Sequence, residues 1–213
     1  SPLAHGRIRR IDTAKAKNLR GVKAIVIGAD FPESRYGMFV KDLPPLAREK
    51  VRYIGEKVAA VAAVDLETSE EAIDLIDVQY EELEPVFDPF EALKPDALQI
   101  HEDVEKYATT FDSIIKYQNV CSRSSVKRGD IEEGFAQADL IFEDTFTTPM
   151  VHQAYIEPHT AIARVEPSGK VTVWTMTPAV FKFRNELAEV LGLPTNMVKV
   201  IGGPVGGSFG GKN

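Results

Sequence analysis

Cysteine is almost missing from this 213-residue chain. A single thiol, Cys121, excludes an internal disulfide framework and any all-cysteine metal or iron–sulfur site within the chain. It fits a reducing compartment, and the cytoplasm is the expected one. Long apolar runs are also missing. No stretch approaches the roughly 18 uninterrupted apolar residues of a membrane span. Basic residues are in the minority, with 25 Lys and Arg against 32 Asp and Glu and a net charge of −7. Non-specific nucleic-acid binding, which needs a basic surface, is therefore not expected. What remains is 44% hydrophobic and 27% charged, which argues against disorder and suits one large domain or two small ones. The chain opens on Ser-Pro-Leu and stops at Gly-Gly-Lys-Asn. An internal piece of a longer polypeptide is the expectation.

The first ninety residues read as mixed α+β with short elements. His5–Ile11 forms an amphipathic strand. Asp12 or Thr13 caps a short helix to Lys17, and Val22–Gly28 is a β-branched, buried strand. Ala29–Leu46 is a loop broken by Pro32, Pro44 and Pro45. Strands are expected at Val51–Ile54 and Lys57–Val64. Ser69 is the expected N-cap of a helix whose Ala72, Ile73 and Ile76 face the core, followed by a strand from Asp77. Pro85 to His101 is proline-rich and acidic, with a short helix at Phe90–Leu93. Further on, Asp130 caps a helical turn to Ala138, and Leu140–Thr147 alternates like a half-exposed strand. Thr160–Val165 and Lys170–Met176 pair around Pro167-Ser168-Gly169. A helix spans Pro178–Leu191, closed by Gly192, and Val198–Ile201 is a strand.

Two segments carry chemistry. The last twelve residues, GGPVGGSFGGKN, hold six glycines. Glycine takes positive φ and lets backbone N–H groups approach a ligand closely, so successive amides can form an anion-binding nest. Phe209 in the middle suggests a packed or ligand-facing loop rather than a loose end. Gly206 to Lys212 also satisfies G-x-x-x-x-G-K, but a phosphate loop needs Ser or Thr next and Asn213 stands there. The other segment, VHQAYIEPHTAIA, contains His152, Gln153, Glu157 and His159. In a strand, His152 and His159 would face opposite sides, and the spacing is not that of a zinc site. Hydrogen-bonding groups on a pocket wall, or satisfied structural polar residues, are the two readings it supports.

Together these residues resemble one family. SPLAHGRIRRID, VRYIGEKVAAVAA and VQYEELEPV are similar to the a/b hammerhead domain of the xanthine dehydrogenase and aldehyde oxidase family. KRGDIEEGFAQADLIFEDTF, HQAYIEPHTAIA and GGSFGGK are similar to the opening of its molybdenum-cofactor-binding domain. The resemblance implies an a/b hammerhead domain over 1–90, a linker over 91–125 and the first part of a mixed α/β molybdopterin-binding domain over 126–213. It implies a molybdenum hydroxylase that acts on an aldehyde, aromatic or N-heteroaromatic carbon with water as oxygen source. The implied cofactor is molybdenum–molybdopterin, in bacteria often as the cytosine dinucleotide. The implied partners are the rest of the molybdenum subunit, [2Fe-2S] clusters and FAD on other domains or subunits, and a small-molecule substrate.

Carried over by position, Gly207, Ser208, Phe209, Gly210 and Gly211 would lie against the cofactor, with no side chain bound directly to metal. The family's general-base glutamate falls beyond the end of this chain, so no catalytic residue is expected within it and the chain alone should be inactive. Many members carry a Gln that hydrogen-bonds a molybdenum oxygen where Met176 stands, and Met cannot donate. Purine-oxidising members carry Glu where Asn213 stands. Both departures, at the substrate side of the pocket, count against a xanthine-like substrate. The competing readings are a non-catalytic docking or assembly module of the same fold, and a nucleotide-binding protein using the 206–212 loop.

Overall fold

The computed structural model describes residues 1–111 and 117–212. The chain divides into two compact units: residues 1–123 with 185–197, and residues 124–184 with 198–213. The architecture is α+β, with three small sheets and five short α-helices among the described residues.

In the first unit β1 (Gly6–Asp12) is the central strand of a three-stranded sheet, between β3 (Lys50–Val51) and β5 (Asp77–Glu82). Both pairings are antiparallel, with Gly6 opposite Val51 and Ile8 opposite Tyr80. Alternation then puts Ile8, Val78 and Tyr80 on one face, where they pack with Leu3 and Ile11 on buried Ala47, Val51 and Val58. A second antiparallel pair joins β2 (Val22–Ile27) to β4 (Ala59–Ala63). Helices α1 (Ala14–Asn18) and α2 (Leu66–Asp74) each seat one fully buried alanine, Ala16 and Ala72. The small side chain permits the close approach. Helix α3 (Pro89–Ala92) starts at Asp88, whose carboxylate accepts from the Phe90 and Glu91 amides. Residues beyond it return to the same unit. Val104 and Tyr107 are buried with Val40, Lys50 pairs with Glu102 at 2.6 Å, and the Asn119 side chain donates to the Ala92 and Leu98 carbonyls.

The second unit contains α4 (Ile131–Ala136), capped by Asp130, and a sheet ordered β6 (Ala161–Val165), β7 (Val171–Thr175), β8 (Val198–Gly202). β6 and β7 form the antiparallel hairpin around Gly169, which has φ +82°. β7 and β8 are parallel and are joined through α5 (Val180–Leu191), the crossover that parallel strands require. Gly192, at φ +65°, ends α5, and the Leu193 amide reaches back to the Ala188 carbonyl.

Several local expectations need correction. The N-cap of α2 is Asp65, not Ser69. Its carboxylate accepts from the Thr68 amide, and a helix started there places Ser69 inside its first turns. Ile73 is 55% exposed because the apolar stripe is centred on Ala72. The strand at Val51–Ile54 stops at Val51. The chain turns there, with the Arg52 amide given to the Glu56 carboxylate and Gly55 at φ +86°. β2 is half-buried rather than buried. Leu140–Thr147 has the alternation of a strand but is not one. Among the described residues nothing pairs with it, and alternation without a ladder partner does not make a strand.

Candidate functional site

β7 and β8 run parallel and end together, at Thr175 and Gly202. Ligands in open sheets with parallel strands collect at the carboxyl ends of those strands. Both segments singled out above meet here. The glycine segment leaves β8 at Gly202, and Met176 follows β7 directly. Met176 is half-buried, and its sulfur lies 2.8 Å from where a Cβ on Gly203 would stand. The two strand ends therefore pack backbone against thioether, and a larger residue at 203 would require the flexible Met176 side chain to move. Thr177, also buried, donates its hydroxyl to the Lys212 carbonyl at 3.0 Å.

The glycine segment is a folded loop. Gly207 and Gly210 have φ of +99° and +88°, and Phe209, which has no glycine freedom, is also left-handed at +48°. A turn closes between the Gly211 amide and the Ser208 carbonyl at 2.8 Å. Among the described residues, the amides of Gly207, Ser208, Phe209 and Gly210 have no hydrogen-bond acceptor. The buried Ser208 hydroxyl has none either. A Cβ at Gly210 would meet open space, whereas one at Gly211 would stand 2.5 Å from the Tyr155 ring. This is an anchored loop with unspent donors, the form expected of a cradle for electron-rich acceptor atoms. The residues present fit an anionic, oxygen- and sulfur-rich cofactor. Phe209 itself is exposed. Asn213 lies outside the described residues.

VHQAYIEPHTAIA supplies the other wall. It is irregular up to Thr160, so the strand argument that separated His152 from His159 does not apply. Both histidines instead flank the Tyr155 ring. The His159 Nε2 is 2.6 Å from the Tyr155 hydroxyl, and the His152 ring is 5.5 Å from the Tyr155 ring. The His152 Nδ1 is taken up by the Ala154 amide. Among the described residues, no group of three or more His, Cys, Asp or Glu side chains could hold a metal ion.

The sequence reading named two residues of this site, Glu157 and Lys212, but missed their pairing. Glu157 accepts from the Gly206 amide at 2.8 Å and from the Lys212 ammonium at 2.6 Å, and both contacts hold its carboxyl below the usual range. The Lys212 side chain is 2% exposed, with its ammonium 5.0 Å from the Tyr155 ring centroid. Lys212 was visible only as the lysine of an imperfect phosphate-loop pattern. A lysine this buried and already paired cannot reach out to a phosphate, which removes the physical basis of the nucleotide-loop reading. The signal that could have found the pair was a carboxylate and a lysine in the two segments that the resemblance joins.

Comparison with known proteins identifies the family. Residues 1–84 match the family model "Aldehyde oxidase and xanthine dehydrogenase, a/b hammerhead domain", and residues 114–213 match "Molybdopterin cofactor-binding domain". The chain is 36% identical to a probable xanthine dehydrogenase subunit of Bacillus subtilis (strain 168), over 100% of this chain and 27% of that protein. It is 34% identical to the nicotinate dehydrogenase large molybdopterin subunit of Eubacterium barkeri, over 100% of this chain and 47% of that protein. The crystal structure of quinoline 2-oxidoreductase from Pseudomonas putida 86 superposes with a TM-score of 0.81 at 31% identity, over 100% of this chain and 27% of that one. The chain thus spans between about a quarter and a half of the length of these relatives. With two family models in tandem order and alignment of the whole chain to molybdenum-subunit relatives, the chain belongs to the xanthine dehydrogenase and aldehyde oxidase family, in its molybdenum-binding large subunit.

Proposed function

We propose that this chain forms the a/b hammerhead domain and the opening of the molybdopterin-binding domain in the catalytic subunit of a molybdenum hydroxylase. Residues 1–90 make the first domain, 91–125 the connection and 126–213 the start of the second. The reaction is hydroxylation of an aldehyde, aromatic or N-heteroaromatic carbon, with oxygen from water. When bound, the molybdenum–molybdopterin cofactor takes up the two electrons that this oxidation releases. The partners proposed for this cytoplasmic enzyme are domains or subunits carrying [2Fe-2S] clusters and FAD, which would accept those electrons. The cytosine dinucleotide form is the one proposed.

Within this chain, Gly207 to Gly211 line the cofactor, and the backbone N–H groups of Gly207 to Gly210 hold it. The observation that carries this reading is the run of amides from Gly207 to Gly210, fixed in a left-handed turn and without acceptors among the described residues. Preorganised donors cost no reorganisation when charge arrives. Met176 presents a thioether that accepts weakly and donates nothing, so it shapes the pocket without polarising a ligand. Asn213 is proposed on the substrate side, where its neutral amide both donates and accepts. The general base is proposed to come from beyond residue 213, so this chain alone should not turn over substrate.

Molybdenum content of the intact enzyme tests the loop. Phe209→Ala adds freedom at a left-handed position and removes the ring, and should lower occupancy severalfold. Full occupancy with normal turnover would remove the case for the loop as a cofactor wall.

A further inference from the structure

The glycine loop begins and ends on one oxygen atom. Oε2 of Glu157 accepts from the Gly206 amide at one end of the loop and from the Lys212 ammonium at the other. The Glu157 amide returns a longer bond to the Gly206 carbonyl, at 3.4 Å. Residues 207–211 are thereby closed into a ring whose fastening comes from a segment about fifty residues earlier. Lys212 cannot be placed for solvent. Its side chain is buried, the Tyr155 ring lies against it, and its own carbonyl is held by Thr177. A buried ammonium must be paired or it is strongly destabilising. Burying Lys212 therefore obliges Glu157 to stay where it also grips Gly206.

We propose that Glu157 is a positioning residue whose carboxylate, locked by buried Lys212, clamps the two ends of the 207–211 loop and so sets its free amides for the cofactor. Lys212 acts on the carboxylate, not on a substrate or a phosphate. The clamp rests on the reading of this loop as a cofactor wall, but its local effect can be measured without the cofactor.

Two readouts keep them apart: hydrogen–deuterium exchange of residues 203–212 in this chain, and molybdenum content of the intact enzyme. The variants are Glu157→Gln, Lys212→Met and the double variant. Gln can still accept from Gly206 but leaves Lys212 buried and uncompensated. Glu157→Gln should speed exchange at the hydrogen-bonded loop amides of Gly206 and Gly211 by about tenfold, within the range of couplings between contacting groups, with amides of Val171–Val173 unchanged. The double variant removes both charges and should return exchange to within about threefold of the parent. If Glu157→Gln fails to fold while the double variant folds, the coupling is supported just as directly. Unchanged loop exchange in Glu157→Gln overturns the clamp. Additive damage in the double variant overturns the role of Lys212. Faster exchange with undiminished molybdenum leaves the clamp standing and overturns the cofactor reading instead.

Discussion

The two units spend their apolar residues differently. In the first, Val51 is fully buried among Ala47, Val58, Ile8, Val78 and Tyr80, and a second cluster gathers Val40, Val104 and Tyr107. In the second, Val171 and Val173 are buried in the sheet, yet Phe142, Phe146, Met150 and Ile156 are each more than 80% exposed. Their site is nevertheless well defined, because it is fastened by polar contacts: one carboxylate, one buried ammonium, one threonine hydroxyl and the left-handed glycines. The lesson is that order at a site and a closed apolar core are separate achievements. In the first unit the packing contacts are mainly apolar; in the second, the loop is held by a carboxylate–ammonium pair, a bond from the Gly206 amide to that carboxylate and a threonine hydroxyl.

The comparison can be broken most readily in the first unit. A Cβ on Gly28 would fall onto the Ala47 carbonyl, backbone against backbone, and Gly28→Ala should cost about 3 kcal/mol in urea unfolding followed by circular dichroism. Val51→Ala should cost about 2 kcal/mol, the two lost carbons plus the cavity. Phe142→Ala, a far larger truncation on an exposed side chain, should change stability by no more than about 0.5 kcal/mol. Equal losses for Val51→Ala and Phe142→Ala would abolish the contrast.

A pH effect comes next. Burial, aided by nearby Arg52 and Arg35, lowers the His101 pKa from 6.5 to about 4. The folded chain therefore binds fewer protons than the unfolded chain between those values, so this contribution is complete above pH 6.5 and lost as pH falls towards 4. The loss should be on the order of 1–2 kcal/mol, since water still reaches part of the ring. Glu56 has the opposite sign, because burial raises its pKa and favours the protonated folded form as pH falls. His101→Gln should therefore remove the acid-side decline that His101 causes, leaving the Glu56 trend. Stability curves for parent and variant that stay parallel from pH 7 to pH 4 would refute the assignment.

A modest effect on stability is expected at the loop. Gly210→Ala meets open space but must hold φ +88°, a cost of about 1 kcal/mol, with a larger loss of molybdenum than of stability.

Much of the fold was legible because period and punctuation agreed. β1, β5, the hairpin around Gly169 and the α5 stop at Gly192 all combine alternation or amphipathicity with the right turn residue. Ile73 and Leu140–Thr147 were misread for one reason: periodicity reports a face, not whether anything covers it. Asp65 lost to Ser69 because both are good caps and only geometry decides which carboxylate or hydroxyl reaches an amide. At the site, the glycines were legible because positive φ has few substitutes. The pairing of Glu157 with Lys212 was not, since it is a contact between distant segments, and the histidines drew notice only because their residue type suggests chemistry.

An experimental structure of the molybdenum-loaded enzyme tests the central claim most directly. The account predicts that the amides of Phe209 or Gly210 lie within about 3 Å of an acceptor atom of the cofactor, with Glu157 still bridging Gly206 and Lys212. A cofactor seated elsewhere, with these amides turned to solvent or Glu157 released from Lys212, would contradict it.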